Sequence, residues 1–329
     1  MRGVVVREFG PVEQHSIGEM PKPVPKDNEV LLEVKATAAN YVDLLVIGGK
    51  YQFLPERPFI PGKGPAGIVA EIGKSVTAFK PGDRILAMAE QGGYGEFVAV
   101  NESQCYLLPE GMSFVNAAAT ALVYDTSWFA LRERARFSAG ETVLVLGASG
   151  AVGLASVQLA KAIGAKVLAG IANPDKAQMV KDAGADHIID LSADNLRDSL
   201  REQVYKVTDG KGADIILDML GGDIFDAALR ALAWSGRLVV IGFASGRIPT
   251  IKANYLLLKN IEVSGLQVSD YRKRRPQQVA DCFAEVFSLI DSGKLKSLPT
   301  TVYPISEFAK GLGEIESRKA RGRVILTQD

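Results

Sequence analysis

Cysteine and histidine are almost missing from this chain, with two of each among 329 residues. Cys105 and Cys282 stand alone in sequence, at no metal-ligand or redox spacing, which excludes a motif built on them. A surplus of charge is missing too. Lys plus Arg and Asp plus Glu are balanced at 38 each, which removes the electrostatic case for a nucleic acid or an anionic membrane as partner. No stretch approaches the roughly 18 apolar residues needed to cross a bilayer. The start, Met1-Arg-Gly-Val-Val-Val-Arg-Glu, has too short an apolar stretch before Arg7 for a signal peptide. These absences lead to the expectation of a reduced, cytoplasmic protein with neither a nucleic-acid nor a membrane partner.

What is present is ordinary globular material: 47% hydrophobic and 23% charged residues. The length exceeds a usual domain of roughly 100–200 residues, so two domains are expected. The first hundred residues read as short strands separated by turns. Glu29-Val-Leu-Leu-Glu-Val-Lys, Gly67-Ile-Val-Ala-Glu-Ile-Gly, Asp83-Arg-Ile-Leu-Ala-Met and Glu96-Phe-Val-Ala-Val are punctuated by Gly73, Pro81-Gly82 and Gly92-Gly93. Such spacing without helices predicts a barrel-like β unit. The texture changes at Thr142. Strands at Val143-Leu-Val-Leu, Lys166-Val-Leu-Ala-Gly-Ile, His187-Ile-Ile-Asp, Asp214-Ile-Ile-Leu-Asp and Arg237-Leu-Val-Val-Ile alternate with helical segments, among them Leu196 to Val207 and Ile224 to Leu232. This alternation predicts a doubly wound parallel sheet covered on both faces. Beyond about residue 260 the pattern returns to irregular strands and a helix around Gln278–Ile290. The α/β unit is therefore expected as an insertion, residues 122–261, within a β domain made of 1–121 and 262–329.

Between the first strand and helix of that insertion stands Gly147-Ala-Ser-Gly-Ala-Val-Gly153. Glycine in such a turn lets backbone N–H groups approach a pyrophosphate, and the helix N-terminus adds its partial positive charge. Ser149, Gly150, Ala151, Val152 and Gly153 are the candidate cofactor contacts, with Gly153 permitting close helix–strand packing. The spacing departs from G-x-G-x-x-G because Ala148 holds the first Gly position, and an ordinary βα turn is the alternative. The strand–helix context that follows favours a dinucleotide site. An NAD-binding chain usually carries an acid roughly 20 residues beyond the glycines. Here Gly170-Ile-Ala-Asn-Pro-Asp-Lys176 offers Ile171 and Ala172 instead. Asn173 and Lys176 then become candidates for a 2′-phosphate, against a solvated Lys176 or an Asp175 that reaches the ribose. The reading favours NADPH.

These residues, taken in order, resemble a known family. Asn40-Tyr-Val-Asp43 with Gly48-Gly49-Lys-Tyr51, Pro58-Phe-Ile-Pro-Gly62, Gly67-Ile-Val, Gly82-Asp83-Arg84, Gly95-Glu96-Phe97, the glycine turn, Gly184-Ala185, Gly236-Arg237 and Gly322-Arg323-Val324 are the markers. They resemble the medium-chain dehydrogenase/reductase superfamily, in its zinc-independent quinone oxidoreductase (zeta-crystallin-like) branch, from end to end. The resemblance implies a GroES-like β domain with an inserted Rossmann domain. It also implies a small electron-poor acceptor, a quinone or conjugated enone. Catalytic zinc needs about three ligands from Cys, His and carboxylate. The superfamily's ligand positions match Asn40, Lys63, Gly64 and a place near Leu122, and His15 and His187 lie elsewhere, so no metal is expected. Without a Lewis acid, an acceptor that stabilises its own charge is required, and the protein positions it against the nicotinamide.

The resemblance also distributes roles. It implies Asn40, Asp43 and Tyr51 at the mouth between the domains, with Tyr51 an acceptor contact or proton donor; for Asp43 a helix or turn cap stands as the alternative. Thr126 matches a Thr under the nicotinamide, with simple packing as its alternative, while Tyr124 and Trp128 read as core. Gly242-Phe243-Ala244-Ser245 and Leu266-Gln267-Val268 match loops whose backbone meets the carboxamide. Leu191 stands where some relatives carry a stacking Tyr, and Arg323 replaces a common Lys, as a cofactor contact or a solvent-facing residue. Arg272-Lys-Arg-Arg275 lacks interleaved aromatics and reads as a solvated loop before a helix begun by Pro276. Reductases of activated alkenes (enone, alkenal or enoyl thioester) and a non-enzymatic NADPH-binding crystallin-type protein are the competing functions. A homodimer is expected, through the sheet edge near Ile261–Gly265.

Overall fold

The computed structural model describes residues 1–328. The chain divides into two compact units, Met1–Leu122 with Ser297–Asp329, and Val123–Lys296.

The first unit is a seven-stranded sheet. Its order is Thr300–Pro304, Arg323–Thr327, Glu29–Ala39, Ala66–Ile72, Arg84–Ala87 and Cys105–Leu107, with Phe97–Asn101 also paired to Glu29–Ala39. Apart from one parallel pair at the C-terminal end the pairing is antiparallel. Alternate residues of Glu29–Ala39 and its partners fill a core of Val30, Leu32, Val34, Val69, Ile85 and Val98. Helix Tyr41–Ile47 interrupts the β texture, and the sequence reading did not expect it. Its length of seven residues is too short for a helical period to show, but Asn40 and Asp43 mark its start.

The second unit is a six-stranded, wholly parallel sheet in the order His187–Asp190, Lys166–Ile171, Thr142–Leu146, Ala213–Asp218, Leu232–Val240, Glu262–Gly265. All five residues of Thr142–Leu146 are buried, as a strand covered on both faces requires. The chain winds outward from Thr142–Leu146 to one edge, then crosses back and winds to the other. The switch point lies between Thr142–Leu146 and Ala213–Asp218. Ligands of doubly wound sheets bind at that place, outside the carboxyl ends of the strands.

Two readings from the sequence need correction. The return to the first unit falls at Ser297, not at 262. Glu262–Gly265 completes the parallel sheet beside Leu232–Val240, and the two helices that follow it, Val268–Arg274 and Pro276–Asp291, stay with the second unit. The basic cluster at 272–275 is not a solvated loop throughout. It forms the end of helix Val268–Arg274, where Arg272 is buried against Asp125 while its three neighbours are exposed. Pro276 does begin the next helix. Among the described residues no helix is long and apolar enough to cross a membrane.

Candidate functional site

Every candidate cofactor segment of the second unit lies along the carboxyl edge of the parallel sheet. The turn after Thr142–Leu146 is tight. Gly147 has φ 76°, and Gly150 is the N-cap of helix Ala151–Ala162. A Cβ on Gly153 would stand 2.2 Å from the Gly147 carbonyl oxygen, so only glycine lets the helix start this close to the strand. A Cβ on Gly147 would stand 3.0 Å from the Leu220 side chain, across the switch point. The N–H groups of the helix's first turn have no helical carbonyl before them to donate to, and that of Gly150 donates to the Gly147 carbonyl at 3.0 Å.

Asn173 and Lys176 follow the neighbouring strand, Lys166–Ile171. The Asn173 side chain accepts from the Asp175 N–H at 2.9 Å and caps a 3-10 turn, Pro174–Lys176. Leu191 sits in the hydrophobic core with Leu146 and Leu168.

On the far side of the switch point a residue not foreseen from the sequence organises two loops. Asp218, fully buried, accepts from the N–H groups of Leu220 at 2.8 Å and Gly221 at 3.0 Å. Its own carbonyl accepts from Ile241 at 2.7 Å. The N–H groups of Ala244 and Ser245 then donate to the carbonyls of Met219 and Leu220. Gly242, Phe243, Ala244 and Ser245 are thereby laid onto the loop after Asp218. Burial raises the Asp218 carboxyl above its ordinary range. Its signal was an acid closing an apolar strand before Gly221-Gly222. Leu266 donates to the Val240 carbonyl at 3.0 Å, and Gln267 is the N-cap of helix Val268–Arg274, so Leu266, Gln267 and Val268 end the series.

Thr126 is buried in helix Tyr124–Trp128. That helix packs against Ala151–Ala162: Ser127 Oγ and Ser156 Oγ are 2.8 Å apart, and Tyr124 donates to Gln158 at 3.0 Å. Trp128 Nε1 donates to Glu285 at 2.6 Å.

The first unit holds a second polar group. Asp43 is 1% exposed, and its Oδ2 accepts from the Asn40 N–H at 2.8 Å and the Tyr94 hydroxyl at 2.9 Å. It caps helix Tyr41–Ile47 and, through Tyr94, anchors that helix's start. Asn40 donates to the Ala38 carbonyl at 2.8 Å and accepts from Arg323 at 3.0 Å. Arg323 does not face solvent. It is buried and also donates to the Ala121 carbonyl at 3.2 Å. Tyr51 is half-buried, edge-on to Phe53, with Lys63 Nζ 5.8 Å from its ring centroid. Lys63 pairs with Glu90. Tyr94, Lys63 and Glu90 had no distinguishing signal, because their partners are distant in sequence.

The positions matched to zinc ligands hold no ligand set. Asn40 is spent on Arg323, Lys63 is itself a cation, and a Cβ on Gly64 would meet the Ala121 Cβ at 2.6 Å and Leu122 Cδ1 at 3.0 Å. Among the described residues no group of three His, Cys, Asp or Glu could hold a metal ion.

Comparison with known proteins bears on both units. Residues 26–110 match the alcohol dehydrogenase GroES-like domain, and residues 151–285 match the zinc-binding dehydrogenase family. A quinone oxidoreductase-like protein 2 homolog of Nematostella vectensis is 37% identical over 91% of this chain and 81% of its own. Human quinone oxidoreductase is 33% identical over 99% of this chain and 97% of its own. The solved structure of Escherichia coli quinone oxidoreductase complexed with NADPH superposes with a TM-score of 0.90 at 28% identity, covering 99% of this chain and 100% of that one.

Burial raises the Asp43 carboxyl from 3.8 to about 6, against the lowering effect of Tyr94, Asn40 and Lys63. Folding therefore takes up a proton between these values, so this residue's contribution to stability is greatest below pH 4 and is lost as pH rises through 6. At about 1.4 kcal/mol per unit the loss is about 3 kcal/mol. Asp43→Asn keeps an acceptor for Asn40 and Tyr94 without the charge. Urea unfolding from pH 4 to 7 should show the variant gaining on the parent by about that much, and a difference independent of pH would refute the assignment.

Proposed function

The chain belongs to the quinone oxidoreductase branch of the medium-chain dehydrogenase/reductase superfamily, and on that basis we propose that it is an NADPH-dependent reductase of quinones. The observation that carries the reading is the line of cofactor segments along one sheet edge. The glycine turn, Asn173–Lys176, Gly242–Ser245 and Leu266–Val268 end four of its six strands and flank the switch point. The close approach of Gly153 to the Gly147 carbonyl sets the N-terminus of helix Ala151–Ala162 at the end of the central strand, where the helix's partial positive charge suits a pyrophosphate.

In this reading the amides of Ser149, Ala151 and Val152 hold the pyrophosphate, while Gly150, whose N–H donates to the Gly147 carbonyl at 3.0 Å, shapes the turn and Gly153 lets the helix pack against it. Asn173 and Lys176 take the 2′-phosphate, where no carboxylate at Ile171 or Ala172 repels it. The backbone of Gly242, Phe243, Ala244, Ser245, Leu266, Gln267 and Val268 and the hydroxyl of Thr126 orient the nicotinamide, which supplies a hydride when bound. No step runs through zinc, because the residues at the ligand positions do not fit it. Tyr51 contacts the acceptor or gives the proton. Asn40, Asp43 and Arg323 act on that region through the loop they fix.

A homodimer through the sheet edge belongs to the same proposal. Glu262–Gly265 is the terminal strand, and Leu257 and Leu258 in the helix before it are about three-quarters exposed, an apolar surface that an edge strand rarely leaves open. Two buried free cysteines accord with a reducing, cytoplasmic location.

Three measurements test the proposal. NADPH oxidation followed at 340 nm with EDTA present should show turnover of 1,4-benzoquinone or 9,10-phenanthrenequinone, and slower turnover with NADH. Turnover confined to a simple enone or an enoyl-CoA would reassign the chain to alkene reduction, and NADPH binding without turnover would leave a binding protein. Lys176→Ala should lower the preference for NADPH over NADH by roughly tenfold, the worth of one charge-assisted contact; an unchanged ratio removes Lys176 from the site. Light scattering at micromolar concentration should return the mass of two chains, and a monomer would sink the edge-strand interface.

A further inference from the structure

In the second unit, Arg272 and Asp125 form an ion pair with 2% and 0% of their side chains exposed. Nη2 of Arg272 donates to Oδ2 of Asp125 at 2.7 Å. Removing two charges from water is costly, and their attraction often does no more than offset that cost. Asp125 makes the balance worse, since its Oδ1 is buried and accepts no hydrogen bond. Packed apolar side chains would stabilise the same contact at least as well. The best-attested use of a buried pair is to select one arrangement of the elements it joins.

The elements joined here carry the nicotinamide end of the cofactor edge. Asp125 precedes Thr126 in helix Tyr124–Trp128. Arg272 lies one turn beyond Val268 in helix Val268–Arg274, and Leu266, just before it, is hydrogen-bonded to Val240 at the strand end that leads to Gly242. Flanking contacts run between the same parts. The rings of Phe129 and Tyr271 lie 4.3 Å apart, and Trp128 and Arg132 both bond Glu285 of helix Pro276–Asp291. The ring contact supplies cohesion without direction, and the Glu285 bonds fix helix Pro276–Asp291, leaving the Asp125–Arg272 bond as the directed contact that reaches helix Val268–Arg274 itself. A single N–H···O bond between two fixed charges sets both register and distance.

We propose that the Asp125–Arg272 pair is a positioning device for the nicotinamide, holding Thr126 at a set distance from Leu266–Val268. The inference rests on the reading above that these segments meet the nicotinamide. Asp125 and Arg272 act through the residues beside them.

The test uses the full-length protein with Asp125→Leu/Arg272→Met, which replaces the pair by apolar side chains, and with Arg272→Lys, which keeps the charge but loses the planar fork. Four quantities are read: thermal midpoint, kcat with 9,10-phenanthrenequinone, affinity for NADPH, and affinity for adenosine 2′,5′-bisphosphate, which lacks the nicotinamide. The double variant should keep its midpoint and its bisphosphate affinity. NADPH affinity should fall on the order of tenfold, and kcat on the order of tenfold to a hundredfold, as misplacement of a reacting group by about 1 Å entails. Arg272→Lys should show the same split more weakly, and it decides the matter if the double variant does not fold. A variant that binds and turns over NADPH like the parent reduces the pair to a structural contact and overturns the proposal. Equal losses for NADPH and the bisphosphate overturn it as well, since the damage would then be general. If the parent protein binds NADPH no better than the bisphosphate, the underlying reading of the nicotinamide segments fails, a result distinct from either.

Discussion

The carboxyl edge of the second unit's sheet depends on a side chain that is not there. With a Cβ at residue 153 only 2.2 Å from the Gly147 carbonyl, helix Ala151–Ala162 could not begin where it does. The amides of its first turn would no longer stand at the head of the central strand. The dependence spreads sideways. Gly147 leaves room for Leu220 from the far side of the switch point. The loop bearing Leu220 is fixed by the two N–H groups that Asp218 collects, and Gly242–Ser245 is then hydrogen-bonded onto that loop. One close approach at the sheet centre thus sets the placement of segments two strands away.

The first unit solves a different problem, that of holding its polar group by side-chain bonds alone. Asn40 uses both ends of its amide, donating to Ala38 and accepting from Arg323. Arg323 reaches the Ala121 carbonyl as well, and so ties the helix start at Asn40 to the end of the segment before Leu122. Asp43 completes the group with Tyr94. Buried polar networks of this kind specify one arrangement because any other leaves a donor or acceptor without a partner. A side-chain framework therefore fixes these positions directly.

Legibility in the sequence followed the range of the interactions. The strand His187–Asp190 and the helix Leu196–Val207 were readable to the residue because burial pattern and local period are carried by adjacent positions. The glycine turn was readable because its glycines serve a contact within seven residues. Arg272 was not, since its partner lies 147 residues away and a run of four basic residues looks solvated from sequence alone. Arg323 failed for the same reason, with Asn40 at a separation of 283. The boundary at Ser297 was missed because Glu262–Gly265 is short and half-exposed, and only its parallel pairing assigns it to the second sheet.

Three carboxylates are buried among the described residues, and they lead to a last point about the chemistry. Asp43 is occupied by Asn40 and Tyr94, Asp218 by two backbone N–H groups, and Asp125 by Arg272. Each spends its charge or its lone pairs on holding backbone or a helix in place. None presents an oxygen to solvent as a base, the unbonded Oδ1 of Asp125 being buried as well, and both histidines lie outside the polar groups described. A chain built this way suits a reaction that asks little of acid–base catalysis. Hydride transfer to a conjugated acceptor is such a reaction, because the acceptor's own π-system takes the charge and the proton can follow from water or a nearby hydroxyl. The protein's investment is in position, and its buried charges are arranged accordingly.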